Sequence, residues 1–116
     1  MGSTNRLDRR MRAKELADEK MREGWAWAQS FERALSHWRR YQLIHAALET
    51  AYEKLVASSS TGGPMWRLVM SQLDWAHDMM WVARENMDTC ANCSVSAEIA
   101  ARIYYEEYEE RQHDQK

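Results

Sequence analysis

Proline is nearly missing from this chain, with one residue in 116, and glycine is scarce at four. So few breakers favour long helices, because both residues destabilise a helix interior. Three of the five sit together, at Gly62-Gly63-Pro64. Long apolar runs are also absent, and nothing approaches the roughly 18 residues of a spanning helix. The start, Met1-Gly2-Ser3-Thr4-Asn5-Arg6, has no apolar stretch of the kind a secretory leader needs. Arg6 stands where the myristoylation pattern has Ser or Thr. An excess of charge is lacking too: 16 Lys and Arg face 18 Asp and Glu, for a net charge of −2. A broad nucleic-acid footprint would carry a basic surplus. Gly-rich phosphate loops and nucleophile-elbow patterns do not occur, so an enzyme is not expected. With only two cysteines there is no disulfide framework, and two thiols without a leader fit a reducing cytoplasm.

What is present in quantity is tryptophan, six residues, and methionine, eight, within a composition 45% hydrophobic and 29% charged. Both residues serve in cores and at protein interfaces. No strand alternation is visible. The fold class expected is all-α: one domain over 1–116, a compact bundle of three to four helices, with the second and third long. Helices are expected over 5–23, 25–57, 64–88 and 96–111. The serine-rich stretch Ser58-Ser59-Ser60-Thr61-Gly62-Gly63 forms a flexible loop at 58–63, and Pro64 opens the next helix. Gly24 marks a break between the first two helices or a point where they fuse. The segment Asp88-Thr89-Cys90-Ala91-Asn92-Cys93-Ser94 is polar and reads as a turn.

The apolar spacing is helical throughout. From Trp27, one stripe runs through Phe31, Ala34, Trp38, Tyr41, Ile44, Leu48 and Ala51 to Leu55, with one short step. The next helix carries Trp66, Val69, Leu73, Ala76, Met80, Ala83 and Met87, an unbroken heptad pattern. A second stripe of Leu68, Trp75, Met79 and Val82 lies beside it. That is more apolar surface than one neighbour covers, and a homodimer is expected from it.

Four groups of residues are candidates for function. Trp81 lies among polar residues, and with Asp74, Asp78 and Glu85 it forms an acidic, aromatic face suited to a protein partner. The acidic stretch Glu106, Glu107, Glu109 and Glu110 is a second such surface. It stands at the unfavourable end of a helix dipole, as do Arg6, Arg9, Arg10 and Arg12 at the other terminus; the two clusters are either two solvated faces or neighbours, within one chain or between two. The arginines with Trp25 form the alternative, a nucleic-acid contact, although residues 1–24 hold seven basic and five acidic side chains. Finally, Cys90-Ala91-Asn92-Cys93 supplies two thiol ligands where a structural zinc takes four, and just before a helix it would suit redox chemistry. Carboxylate–histidine spacings at Asp74…His77 and Glu110…His113 are of the kind that ligates iron pairs, but Asp74 falls on the polar side.

The reading that results is a non-enzymatic helical interaction protein of inhibitor or adaptor type, with no cofactor. Such small motif-free chains are carried, for example, by phages and mobile elements; that comparison is an analogy. It would act on a larger protein or nucleoprotein complex through its acidic, aromatic face. The alternatives are a nucleic-acid-binding regulator and a metal or redox protein centred on Cys90 and Cys93.

Overall fold

The structure, a computed structural model, describes the backbone from Gly2 to Asp114 and the side chains of residues 7–110. The described residues form two α-helices, α1 over Gly2–Ala57 and α2 over Pro64–Asp114. This corrects the expected compact bundle of three to four helices. The loop at 58–63 stands as the one interruption between them, while Gly24 and the whole of 88–95 are helical.

The boundary follows from its residues. Ser59 adopts a left-handed backbone, φ 55°, and Ser60 N–H donates to the Leu55 carbonyl at 2.9 Å while Ser59 N–H donates to that of Val56 at 3.0 Å. These two bonds make a Schellman stop, in which a left-handed residue satisfies the last carbonyls of the helix. Gly62, at φ 85°, takes a conformation that few other residues accept. Pro64 then begins α2, where a missing N–H costs nothing.

The chain divides into two compact units, Met1–Ser30 with Thr89–Lys116, and Phe31–Asp88. Each is an antiparallel helix pair. In the second, Tyr52 meets Trp66, Tyr41 meets Trp75 and Trp38 meets Arg84, so α1 descends as α2 rises. In the first, Arg10 meets Tyr108, Asp18 meets Tyr105 and Gly24 meets Ser94.

The seam keeps a strict alternation of three and four residues. On α1 it takes Arg10, Ala13, Ala17, Lys20, Gly24 and Trp27 in the first unit, then Phe31, Ala34, Trp38, Tyr41, His45, Leu48, Tyr52 and Leu55 in the second. On α2 it takes Trp66, Val69, Leu73, Ala76, Met80, Ala83 and Met87, then Cys90, Ser94, Ala97, Ala101, Tyr104 and Tyr108. All of these are buried or half-buried. Such an unbroken heptad keeps one stripe of each helix facing the other.

What fills the seam is unusual. The buried residues are Ala13, Ala17, Ala34, Val69, Ala76, Ala83, Cys90, Ala97 and Ala101, and among the described residues no large side chain is fully buried. Large residues sit outside: Trp25 is 63% exposed, Trp81 62%, Met65 59% and Leu68 54%. The two units use small residues differently. In Phe31–Asp88, Ala76 lies at the level of Tyr41, so there small on α2 receives large on α1. In the first unit both sides are small. A Cβ at Gly24 would stand 3.5 Å from the Ala97 Cβ and 3.7 Å from the Ser94 carbonyl oxygen, so the backbones approach closely there.

Candidate interaction surfaces

On α2 of the Phe31–Asp88 unit, the residues next to the seam form a second seven-residue pattern. Leu68, Trp75 and Val82 are 54%, 44% and 46% exposed, with Met65 and Met79 beside them. Trp75 packs the edge of its ring on Tyr41, at a centroid distance of 5.6 Å and 83° between planes, which places this stripe on one flank of the helix pair. Arg84 over Trp38, at 6.0 Å, marks the opposite flank. Asp78 and Glu85 border the stripe on its outer side, one step round the helix, and both are exposed.

Trp81 lies one further step round, with Asp74 above it. Its indole N–H donates to a Glu85 Oε1 at 3.1 Å, an i,i+4 contact that holds the ring flat along the outside of α2. Asp78 lies 3.9 Å from His77, both highly exposed. The structure therefore brings Asp74, Asp78, Trp81 and Glu85 onto one side of one helix. It places Glu106, Glu107, Glu109 and Glu110 in the other unit.

In the first unit the arginine and glutamate ends do meet. Arg10 lays its guanidinium 4.7 Å from the Tyr108 ring centre and donates to the Tyr108 hydroxyl at 3.1 Å. Arg9, Arg12 and Glu107 line one shallow cleft with Ala13 and Leu16. Of the nucleic-acid candidates, Arg10 is thus engaged within the fold, Arg9 and Arg12 share their surface with an acid, and the Arg6 side chain lies outside the described residues, as do those of Arg111 and His113. Trp25 is exposed beside a second cleft of about 180 Å³ that includes Lys20, Met21, Ala28, Ser94 and Glu98.

Lys20 is held by Glu23 at 3.0 Å, and that hydrogen bond and charge push its pKa up. Tyr105 donates to Asp18 Oδ1 at 2.6 Å; the hydrogen bond, reinforced by burial and by the carboxylate's charge, raises the Tyr105 pKa. A raised pKa means that the fold favours the protonated phenol. The stabilisation is complete below the free tyrosine value of about 10 and is lost as pH climbs through the higher folded value. Tyr105→Phe therefore lowers the melting temperature at neutral pH, and the gap to the unaltered chain closes in strongly alkaline buffer. A gap that stays constant with pH would show that the phenol proton is not what holds Asp18.

The cysteines are placed otherwise than expected. Cys90 is 8% exposed in the seam and Cys93 half-buried beside it, and both are free thiols. They lie in the middle of α2, one turn apart, so the helix start that the redox reading needed is not there. Among the described residues no three His, Cys, Asp or Glu side chains gather into a metal-binding group, which leaves the Asp74…His77 spacing and the cysteine pair without further ligands. No described helix is long and apolar enough to cross a membrane.

Sequence reasoning found the Leu68–Val82 stripe from its spacing but not its counterpart on α1, the exposed row Arg33, Arg40, Ala47 and Lys54 at seven-residue steps. The interval was the available signal, but these cations were not weighed as a surface. Compared with protein-family models, curated proteins and solved structures, the chain matches none.

Proposed function

We propose that this chain is a non-enzymatic interaction protein, of inhibitor or adaptor type, that docks on other proteins through the outer side of α2. The observation that carries this reading is the inverted placement of size. Alanines take most of the buried seam positions, while Trp81, Trp75, Leu68 and Val82 stand outside the seam and are 44–62% exposed. Exposed apolar surface in such a run is costly in water and marks a contact surface. Aromatic residues lose little conformational freedom on binding and dominate interface energetics. The acids Asp74, Asp78 and Glu85 beside Trp81 suit a target with a basic rim, including the groove of a nucleoprotein complex, and they repel bare nucleic acid.

The test is capture of the target from the native cell's lysate, with and without nuclease, by the unaltered chain and by Trp81→Ala. Trp81 is 62% exposed and donates to Glu85 on its own helix. Its loss is therefore expected to leave thermal stability within about 1 kcal/mol and to remove a nuclease-resistant, stoichiometric partner. Capture that disappears with nuclease, or that survives the substitution unchanged, overturns the reading.

A further inference from the structure

The flank of the Phe31–Asp88 unit that carries Leu68, Trp75 and Val82 also carries the exposed row of Arg33 and Arg40 on α1. We propose that this flank takes a second copy of the chain, related by a two-fold axis along the helices, so that α2 of each copy lies on α1 of the other. The proposal rests on the protein-docking reading of α2 and names the occupant of its apolar stripe.

Two features of the flank fit a copy of itself. The first is shape. At the level of Leu68, α1 carries the small Ala47 and Ala51, and a two-fold axis parallel to the helices sets Leu68 against this small pair twice. The second is charge. Arg33 and Arg40 are seven residues apart at the outer edge of α1, and Asp78 and Glu85 are seven apart at the outer edge of α2. The contacts Tyr52–Trp66, Tyr41–Trp75 and Trp38–Arg84 set the levels of the two helices within the unit. They put Arg40 level with Asp78 and Arg33 level with Glu85. A two-fold axis along the helices preserves levels, so each copy's Asp78 meets the other's Arg40 and each Glu85 the other's Arg33. The perpendicular axis would set arginine on arginine and acid on acid. All four side chains are exposed.

The result is a four-helix arrangement in which every neighbour is antiparallel, a stable and common solution for helix pairs. Trp81 and Asp74 stay outside it, one face further round α2, and remain free for a different protein, while Asp78 and Glu85, the latter bonded to the Trp81 indole, lie at the border of the two contacts.

Sedimentation equilibrium of the full chain tests this directly, with circular dichroism to follow helix content. The unaltered chain is expected to be a dimer, and Trp75→Glu a monomer. Because that change also touches Tyr41, the deciding variants are charge reversals at exposed positions. Arg33→Glu with Arg40→Glu is expected to raise the dimer dissociation constant at least about tenfold, since attraction becomes repulsion at four places. Adding Asp78→Arg and Glu85→Arg to the same chain is expected to restore it. A monomeric unaltered chain, a dimer indifferent to the first reversal, or a failure of the second to rescue overturns the assignment. The docking reading stands or falls separately. A monomer whose target capture still depends on Trp81 keeps that reading, and a charge-dependent dimer whose capture ignores Trp81 loses it.

Discussion

Asn92→Pro is expected to remove about 3 kcal/mol or more of stability, a large share of what a chain of this size possesses. Asn92 is exposed, on the outside of α2 in the middle of a segment whose composition reads as a turn. Its side chain has no place in the seam, so the effect isolates the backbone. Within a helix, proline deletes the hydrogen bond from residue 92 back to Asp88, its ring strikes that carbonyl, and it pushes Ala91 out of helical conformation. In a turn, proline would be neutral or mildly stabilising. Asn92→Ala is the companion change: it keeps the N–H and improves helix propensity, so a small gain is expected. Urea unfolding of the three chains reads the difference. An Asn92→Pro chain that unfolds with the unaltered one would show that residues 88–95 are not helical.

That segment shows why part of the fold was legible and part was not. The stop at 58–63 was plain, because a serine run followed by Gly62-Gly63-Pro64 leaves a helix no way to continue. The heptad from Trp66 to Met87 was equally plain, because its members are apolar. The same interval continues through Cys90, Ser94, Ala97, Ala101, Tyr104 and Tyr108, but small and hydroxylated residues do not announce a buried stripe. Asp, Thr, Asn and Ser offer the backbone alternatives to the helix, and this local preference is weak against a partner helix packed along the seam. On α1 the sequence favoured Ile44 and Ala51 for their hydrophobicity and so required one short step. The strict spacing runs instead through His45 and Tyr52, and His45 is accommodated by Glu49 at 3.2 Å. Helix count was missed for the same reason that the seam was. A reading that counts large apolar residues as core assembles a bundle around them, whereas here the alanines are inside.

The acidic face was legible as a set of residues and not as a single surface. Asp74, Asp78, Trp81 and Glu85 follow helical spacing and do share a side. Of the second acidic stretch, Glu107 shares a cleft with Arg9 and Arg12 in the other unit, one of the two placements the sequence left open. The row of Arg33 and Arg40 carries information only once the level of α1 against α2 is known, and that level comes from ring contacts between helices, which spacing along one helix does not encode.

Ala97→Leu is expected to be strongly destabilising, by about 1–3 kcal/mol, although leucine is nearly as good a helix former as alanine and more hydrophobic. In a seam with ordinary knobs, leucine at such a position adds buried area and stabilises. Here its Cβ faces the α1 backbone. Ala97 is 6% exposed, and a single methyl group placed on Gly24 would come into ordinary contact with its Cβ at 3.5 Å, so the gap between the helices takes one methyl group. The α1 backbone lies directly across, and Ser94 Oγ donates to the Gly24 carbonyl at 3.2 Å, a bond that holds only while the helices stay this close. Three added carbon atoms force the pair apart. That opens gaps along Ala13, Ala17 and Ala101, whose short side chains cannot refill the space, so dispersion contacts are lost over several turns rather than at one site. The control is Ser96→Leu, one position away and exposed, where the same side chain is expected to change stability by less than about 0.5 kcal/mol. Thermal and urea unfolding of both variants decide the matter. Equal stability for the two, or a gain from Ala97→Leu, would mean that the helices are not closely packed at Gly24 and that the alanine seam is not what joins them.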